Sequence, residues 1–341
     1  MSVAAAARPG WPEPADFASP PDGATRARWD EADRAARAVR LERLRARLAE
    51  AGLDAYFGVR REHMRWLCGF GLADGEEKVA GHSGQFLAAA DGITLFADSR
   101  YTIQAQREAP EATIVDVGYD LPGRWRQLLA ERGVRRIGLE AAVVPHGLWT
   151  RLEAAAPGVE HVPVEGWLEA ERATKTPEEL ERVAAASAVA DRALAALLPE
   201  IRTGVSEHDL ALRLEWLMRT GGAEALAFDV ACLSGPEAAL PHGSPGDRPI
   251  RNGAVLLFDF GAQVAGYRSD MTRTLFVGEP PARDLALHEL VLAAQGAAIG
   301  AIATSVSASG EGRPLLSGRE ADAAARAVIE AAGHGGQFGH G

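Results

Sequence analysis

Two aspartates, Asp259 and Asp270, lie in a stretch that otherwise predicts two β-strands. The first strand is an apolar run over residues 254–260, and the second is rich in β-branched and aromatic side chains over residues 272–277. Burying a carboxylate in an apolar strand costs desolvation free energy unless a cation or hydrogen-bond donors compensate its charge. The pair is therefore a candidate for metal binding or acid–base chemistry, although a lone aspartate often only ends a strand or caps a turn.

The spacing of the two aspartates favours a cation between them. Gly266 indicates a hairpin turn between the strands. If the turn is centred just after Val264, Asp259 lies directly opposite Asp270, and a register shifted by two residues still keeps both on one face. Either register separates the carboxylates by roughly 5 to 8 Å. At that distance like charges repel, and a divalent cation would relieve the repulsion.

Two of the nine histidines lie in loops rich in glycine. His242 lies in the sequence Leu-Pro-His-Gly-Ser-Pro-Gly-Asp, just before the strand of Asp259, and His340 lies in Phe-Gly-His-Gly at the end of the chain. A histidine in such a loop is commonly only a solvated side chain. The other seven histidines show no spacing typical of metal ligands.

The first half of the chain predicts a tail and an α/β domain. Residues 1–28 contain five prolines and are expected to be a flexible tail. Strand and helix patterns then alternate over residues 29–167, which indicates an α/β domain. The predicted helices are residues 29–51, 101–108, 125–132 and 148–155, and the predicted strands are residues 55–59, 84–90, 93–97, 113–117 and 136–139.

The second half, residues 168–341, predicts a domain in which long helices accompany the strands of the aspartate pair. A helix over residues 175–198 has Thr176 as its N-cap and Pro177 as its first residue. Ser/Gly-rich residues 305–318 are expected to form a loop. The other predicted helices are residues 207–221, 284–303 and 320–332, and a further strand is predicted over residues 227–233.

Composition excludes several classes of protein. A formal net charge of −11 and a pI near 5.4 argue against a nucleic-acid or anionic-membrane partner. Two cysteines, Cys68 and Cys232, provide neither a disulfide framework nor a zinc-knuckle spacing. No apolar run is expected to reach the ~20 residues that span a bilayer. We therefore expect a soluble, cytoplasmic protein.

Several motifs, in one order, resemble a known family. Pro-His-Gly-Ser-Pro-Gly-Asp is followed by LFDFGAQVAGYRSDMTRT, by a helix near Glu320, and by Phe-Gly-His-Gly. This order resembles the aminopeptidase P, prolidase and creatinase family, whose catalytic domain has the "pita-bread" fold, and within it most closely a Xaa-Pro aminopeptidase. The resemblance runs from about residue 38 to 341. It implies a creatinase-like α/β N-terminal domain followed by an α+β pita-bread domain.

The resemblance implies a role for each candidate residue. Asp259 and Asp270 correspond to ligands of two divalent metal ions, with Mn²⁺ expected and Co²⁺ or Zn²⁺ as alternatives. His242 corresponds to the catalytic histidine that stabilises the tetrahedral intermediate, and His340 to a histidine of the substrate pocket. The implied substrate is a peptide with proline at its second position, and the implied assembly is a homodimer or higher oligomer.

The resemblance also implies that the catalytic domain is incomplete. In the family a further histidine and two glutamates complete the metal ligands, and the sequence ends at Gly341 before them. We therefore expect residues 1–341 to be an inactive fragment, with an apolar sheet edge containing Leu256, Phe258 and Phe276 left unpaired. The alternatives are a metal-free creatinase-like amidinohydrolase, a non-catalytic peptide-binding relative and, far less favoured by the 6% aromatic content, a glycosidase.

Overall fold

The structure, a computed structural model, describes residues 19–73, 75–309 and 315–339. The chain forms two compact units, residues 22–178 and residues 179–341, and the described residues 19–21 group with the second. The two units divide between residues 178 and 179, and Leu168, which directly follows the predicted division after residue 167, is buried in the core of the first unit. Of the predicted tail, residues 1–18 lie outside the described part of the chain, and residues 23–28 are helical.

The first unit is built on one six-stranded sheet with the strand order β4-β3-β2-β1-β5-β6. β1 pairs antiparallel with β2 and parallel with β5, so the sheet is mixed. The helices are α1 (Gly23–Glu50), α2 (Arg61–Cys68), α3 (Thr102–Glu108), α4 (Leu121–Ala130), α5 (His146–Ala155) and α6 (Trp167–Ala173). The strands are β1 (Ala55–Gly58), β2 (Phe86–Ala89), β3 (Gly92–Phe96), β4 (Thr113–Val115), β5 (Arg136–Glu140) and β6 (Glu160–Val164).

Both faces of this sheet are covered by apolar side chains. Tyr56 and Phe86 point into one buried cluster, while Phe57 and Leu87 point into a second cluster on the opposite face. Because neighbouring residues of a strand face opposite ways, a strand buried on both sides is a continuous apolar run. The predicted α/β domain is confirmed on this point.

Helix α1 begins six residues earlier than predicted. The side chain of Asp22 accepts a hydrogen bond of 2.8 Å from the backbone N–H of Thr25, which makes Asp22 the N-cap. Trp29, the predicted first residue, is fully buried within the helix. The proline-rich sequence before it obscured a start signal that is present in the sequence.

The second unit contains two three-stranded sheets, with the strand orders β12-β9-β8 and β11-β10-β7. The chain passes from one sheet to the other at Gly261, between β9 and β10. The helices are α7 (Pro177–Leu197), α8 (Glu207–Thr220), α9 (Ala282–Ser309) and α10 (Gly318–Ala331). The strands are β7 (Ala225–Leu226), β8 (Ala231–Ser234), β9 (Ala254–Phe260), β10 (Ala262–Val264), β11 (Tyr267–Arg268) and β12 (Met271–Val277).

Strand β9 lies between β8 and β12, and its burial alternates. Leu256, Phe258 and Phe260 are each 0% exposed, whereas Leu257 and Asp259, on the other face, are only half-buried. The expectation that Leu256 and Phe258 lie at an unpaired edge is therefore wrong, because β9 is paired on both sides.

Helix α9 is longer and more apolar than predicted. It extends to Ser309, so the expected loop over residues 305–318 begins as helix, and residues 310–314 lie outside the described residues. By length and composition α9 could cross a membrane, with a mean hydropathy of 1.6 over a window that is 6% buried. The expectation that no apolar run reaches this length is thus wrong. One helix of this kind is weak evidence for a membrane span, and α9 packs against α10.

Candidate metal centre

The strand register places Asp259 opposite Thr272. β9 and β12 pair antiparallel with Asp259 facing Thr272 and Phe260 facing Met271. The Thr272 hydroxyl donates a hydrogen bond of 3.1 Å to Asp259 Oδ1, which shows that both side chains lie on one face. Asp270 lies just before β12, two residues ahead of Thr272, so by continuing the strand alternation we expect it on the same side of the sheet.

Of the two registers that the sequence leaves open, the directly opposed one is not observed and the one shifted by two residues is. The turn is centred between Ala265 and Gly266, one residue later than expected, and both residues have positive φ, 47° and 78°. Positive φ at both central residues is the geometry of a type I′ hairpin turn, which suits the twist of the strands that it joins.

The aspartates are more exposed than an apolar strand sequence implies. Asp259 is half-buried and Asp270 is exposed. The apolar neighbours of Asp259 point to the opposite, sealed face, so its own face remains open. Asp259 therefore keeps some contact with solvent, and the expectation that both aspartates share one face stays a prediction.

A close crossing of two backbone segments precedes Asp270. A Cβ atom on Gly261 would lie 2.0 Å from the carbonyl oxygen of Ser269. The buried Ser269 receives a hydrogen bond of 3.0 Å from the N–H of Ala262 at its hydroxyl. Only glycine allows this approach, and the crossing determines where the chain enters β12.

The loop that carries His242 lies over the same face as Asp259. His242 is exposed, in a turn that follows a short 3-10 helix, Gly235–Ala239. A Cβ atom on the next residue, Gly243, would lie 2.8 Å from the Leu233 side chain. Leu233 pairs with Leu257, two residues from Asp259, so it shares the face of Asp259.

Buried Glu207 connects this loop to the rest of the unit. Its carboxylate accepts hydrogen bonds from Ser234, Gly246 and Arg248. Burial by itself raises the pKa of Glu207, but the Arg248 guanidinium and the Ser234 and Gly246 donors outweigh it and hold the pKa below its usual range. Glu207 is thus a charged group at neutral pH in a site with no exposed surface.

The aspartate pair fits one part of a metal site. Carboxylate oxygens are the ligands that hard divalent cations prefer. Within the described ranges, no group of three or more histidine, cysteine, aspartate or glutamate side chains could hold a metal ion. His340, the predicted residue of the substrate pocket, lies outside the described residues. Asp259 and Asp270 therefore offer two ligands and not a complete set.

Sequence reasoning missed Thr272, Glu207 and Arg248. The sequence pattern indicates only that Thr272 is a strand residue. Once the register is known, a hydroxyl opposite an aspartate indicates a hydrogen bond between the two side chains. Glu207 follows the N-cap Ser206 and reads as an ordinary acidic residue in the first turn of a helix. Its partners are 27 to 41 residues away in sequence, so no local pattern reveals them.

Two family models match most of the chain. That of metallopeptidase family M24 matches residues 181–341, and that of the creatinase/prolidase N-terminal domain matches residues 40–174. The uncharacterised peptidase YqhT of Bacillus subtilis is 31% identical over 302 residues, which is 89% of this chain and 80% of that protein. A Xaa-Pro dipeptidase of Pyrococcus horikoshii is 33% identical over 211 residues, 62% of this chain and 57% of that protein.

Solved structures are similar over the same length. A Xaa-Pro dipeptidase from Bacillus anthracis superimposes with a TM-score of 0.79 at 31% identity, over 89% of this chain and 80% of that chain. An X-Pro aminopeptidase from Thermotoga maritima superimposes with a TM-score of 0.75 at 28% identity, over 87% of this chain and 78% of that chain.

Proposed function

Because this chain belongs to metallopeptidase family M24, we propose that it is a metal-dependent Xaa-Pro aminopeptidase that hydrolyses the bond between an N-terminal residue and proline. The observation that carries the proposal is the half-open face of β9, which presents Asp259 hydrogen-bonded to Thr272, with the His242 loop against β8 and Asp270 directly before β12. Relatives and structural neighbours named as Xaa-Pro dipeptidases and an X-Pro aminopeptidase support this substrate class.

In this proposal Asp259 and Asp270 hold divalent metal, with two ions and manganese as the expected complement. Divalent ions so bound supply Lewis-acid polarisation of a carbonyl and a lowered pKa of water. Thr272 fixes the rotamer of Asp259 through its hydroxyl. His242 donates a hydrogen bond to the oxygen that becomes negative in the transition state, a contribution of the oxyanion type.

The ligand count leads to a second part of the proposal. The described residues offer two carboxylates at this face and no larger group of metal-binding side chains. We therefore expect residues 1–341 by themselves to bind metal weakly and to cleave Xaa-Pro peptides slowly or not at all.

The test compares residues 1–341 with a version extended at its C-terminus. Both are assayed with Mn²⁺, Co²⁺ or Zn²⁺ on a Xaa-Pro dipeptide, on a longer Xaa-Pro peptide and on matched peptides with alanine in place of proline. We expect cleavage of Xaa-Pro bonds by the extended protein only, and the ratio of dipeptide to longer-peptide turnover separates dipeptidase from aminopeptidase. Binding of peptide without cleavage, or metal-independent hydrolysis of a guanidino substrate, would replace this proposal by one of its alternatives.

The role of His242 is tested by His242→Ala in the active protein. We expect kcat to fall by about 10² to 10³ while the metal content stays constant, because a transition-state donor is lost and no metal ligand is removed. His208→Ala, which removes another exposed histidine of the same unit, is the matched control. If His242→Ala lost metal and recovered with excess Mn²⁺, His242 would be a metal ligand.

A further inference from the structure

The carboxylate of Glu207 accepts hydrogen bonds from two separate parts of the chain. Oε1 accepts hydrogen bonds of 2.7 Å from both the N–H and the hydroxyl of Ser234, the last residue of β8. Oε2 accepts hydrogen bonds of 3.1 Å from the N–H of Gly246 and 2.6 Å from Nη2 of Arg248. Arg248 Nε lies 3.2 Å from Oε1, so the guanidinium contacts both oxygens of the carboxylate.

These donors lie at the two ends of the loop over residues 235–245. Ser234 precedes the loop, and Gly246 and Arg248 follow it, so one carboxylate holds both ends. Backbone bonds strengthen the second end, because the N–H of His208 donates to Gly246 O at 3.0 Å and that of Glu207 to Arg248 O at 3.2 Å.

His242 stands inside the loop that this carboxylate closes. Pro241 and Pro245 restrict the backbone on either side of it, and Gly243 lies against the side chain of Leu233. Both ends of the loop are thus held by hydrogen bonds and its middle contacts β8, so the backbone that carries His242 is restricted. The loop surface is otherwise exposed, so little apolar burial would hold it if the ends were released.

We propose that Glu207 is a positioning residue, whose carboxylate closes the loop over residues 235–245 and thereby sets where His242 stands relative to Asp259. The catalytic consequence rests on the proposed function, while the closure of the loop is independent of it. Glu207 is fully buried, so it acts on a reaction through His242 and not by contact with a substrate.

A carboxylate is required for this role, and an amide of the same shape is not sufficient. In Glu207→Gln only one oxygen can accept, and the new NH₂ group would face either the Ser234 N–H and Arg248 Nε or the Gly246 N–H and Arg248 Nη2. At least one end of the loop would then lose its acceptor, and Arg248 would lose the negative charge that it now contacts.

Hydrogen–deuterium exchange of residues 1–341 tests the closure without any assay of activity. In Glu207→Gln we expect amides of residues 235–246 to exchange about tenfold faster or more, the factor that accompanies loss of hydrogen bonds to a charged group. Amides of β9 and β12 should keep their protection. The control is Glu200→Gln, which removes a half-buried carboxylate that pairs with Arg213 in the same unit.

Unchanged exchange of residues 235–246 in folded Glu207→Gln would overturn the proposal. If Glu207→Gln does not fold, Arg248→Met takes its place, since the Arg248 side chain is 44% exposed and its loss leaves Glu207 with its Ser234 and Gly246 donors. That variant should also accelerate exchange within the loop, by a smaller factor, and no acceleration would again contradict the closure.

The step from loop to His242 is tested in whichever form of the protein cleaves a Xaa-Pro peptide. We expect Glu207→Gln to lower kcat with little change in KM or metal content, and to add nothing to the loss already caused by His242→Ala in the double variant. Additive losses would show that Glu207 does not act through His242. If neither form cleaves Xaa-Pro peptides, the proposed function fails, and the exchange measurement still decides the closure.

Discussion

The hydroxyl of Thr272 joins the two strands of the candidate site through a side chain. It donates to Oδ1 of the half-buried Asp259, and the exposed Asp270 precedes it by two residues in the sequence. Groups that orient a metal-binding carboxylate commonly matter nearly as much as the ligand itself.

Thr272→Val keeps the shape of this side chain and removes its donor. We expect the affinity for Mn²⁺ to fall by about 10- to 100-fold, as is typical when a group that orients a metal ligand is lost. Titration followed by electron paramagnetic resonance of free Mn²⁺ measures the change. Thr274→Val, two residues along the same face, is the control. Equal affinities for Thr272→Val and the unaltered chain would contradict the role given to Thr272.

A second buried carboxylate, Glu140, organises the end of the sheet in the first unit. It accepts hydrogen bonds from the Tyr56 hydroxyl at 2.8 Å and from the N–H groups of Val59 and Arg60 at 2.8 and 2.9 Å, and its Oε1 lies 2.6 Å from Nδ1 of His63. Burial raises the pKa of Glu140, but His63 and the backbone donors outweigh it, so the pKa lies below that of an exposed glutamate.

This lowered pKa makes the stability of the first unit depend on pH. Because the folded-state pKa lies below the unfolded value of about 4.3, ionised Glu140 stabilises the fold above that pH, and the stabilisation is lost as the pH falls through the folded-state pKa. We expect Glu140→Gln to lower Tm clearly at pH 7 and by much less near pH 3. Thermal unfolding of residues 22–178 across this range measures it, with the exposed Glu153→Gln as control. A pH-independent difference would show that Glu140 acts only by its shape.

Among the elements, the junction of β9 with β10 is the most tightly constrained. Gly261 allows two backbone segments to cross next to Ser269, and this crossing carries the chain from one three-stranded sheet to the other. The position of Asp270 depends on it, since Asp270 directly follows Ser269.

Gly261→Ala should therefore disturb both the fold and the site. We expect a loss of about 1–3 kcal/mol or more, because the new methyl group meets backbone that no rotamer change can move. Chemical denaturation measures the loss, and Mn²⁺ titration should show weaker binding. Gly296→Ala in α9, where a Cβ atom has open space, is the control and should stabilise by about 1 kcal/mol. A folded Gly261→Ala protein with normal stability would refute this account of the crossing.

Some elements could be predicted from sequence, and others could not, for identifiable physical reasons. β9 was predicted with its observed bounds, because a run of apolar residues ending at glycine is a strong strand signal. β6 was missed since it is an edge strand containing Pro163, which lacks a donor and weakens the pattern. The register was misjudged because Ala265 adopts positive φ, for which a non-glycine residue provides no signal.

At the scale of the whole molecule, the predicted pairing of a creatinase-like N-terminal domain with a pita-bread catalytic domain is confirmed by the two family matches and by the structural neighbours. The site residues were predictable only in part. Asp259, Asp270 and His242 lie in local sequence motifs. The role of Glu207, in contrast, depends on hydrogen-bond donors that come close to it only in the folded chain.

The first unit should fold without the second. Its sheet has a buried apolar cluster on each face, so residues 22–178 enclose a core of their own. We expect a single cooperative thermal transition for residues 22–178, followed by circular dichroism. Residues 22–167 lack Leu168, which is 2% exposed, and should be less stable by about 1.5–3 kcal/mol, the contribution of one buried leucine side chain. If the two segments had equal free energies of unfolding, the domain boundary would lie at residue 167.

The alternating burial of the side chains of β9 divides its seven residues into two sets, one needed for packing and one beside the candidate site. Packing constrains Leu256, Phe258 and Phe260, because each side chain is completely buried. Val255 and Leu257 lie on the half-buried face beside Asp259. A combinatorial library that varies only Val255 and Leu257 should therefore yield mostly folded proteins with altered substrate preference, and one that varies the three enclosed positions should yield mostly unfolded ones. For directed evolution, this strand offers access to specificity with little risk to the fold.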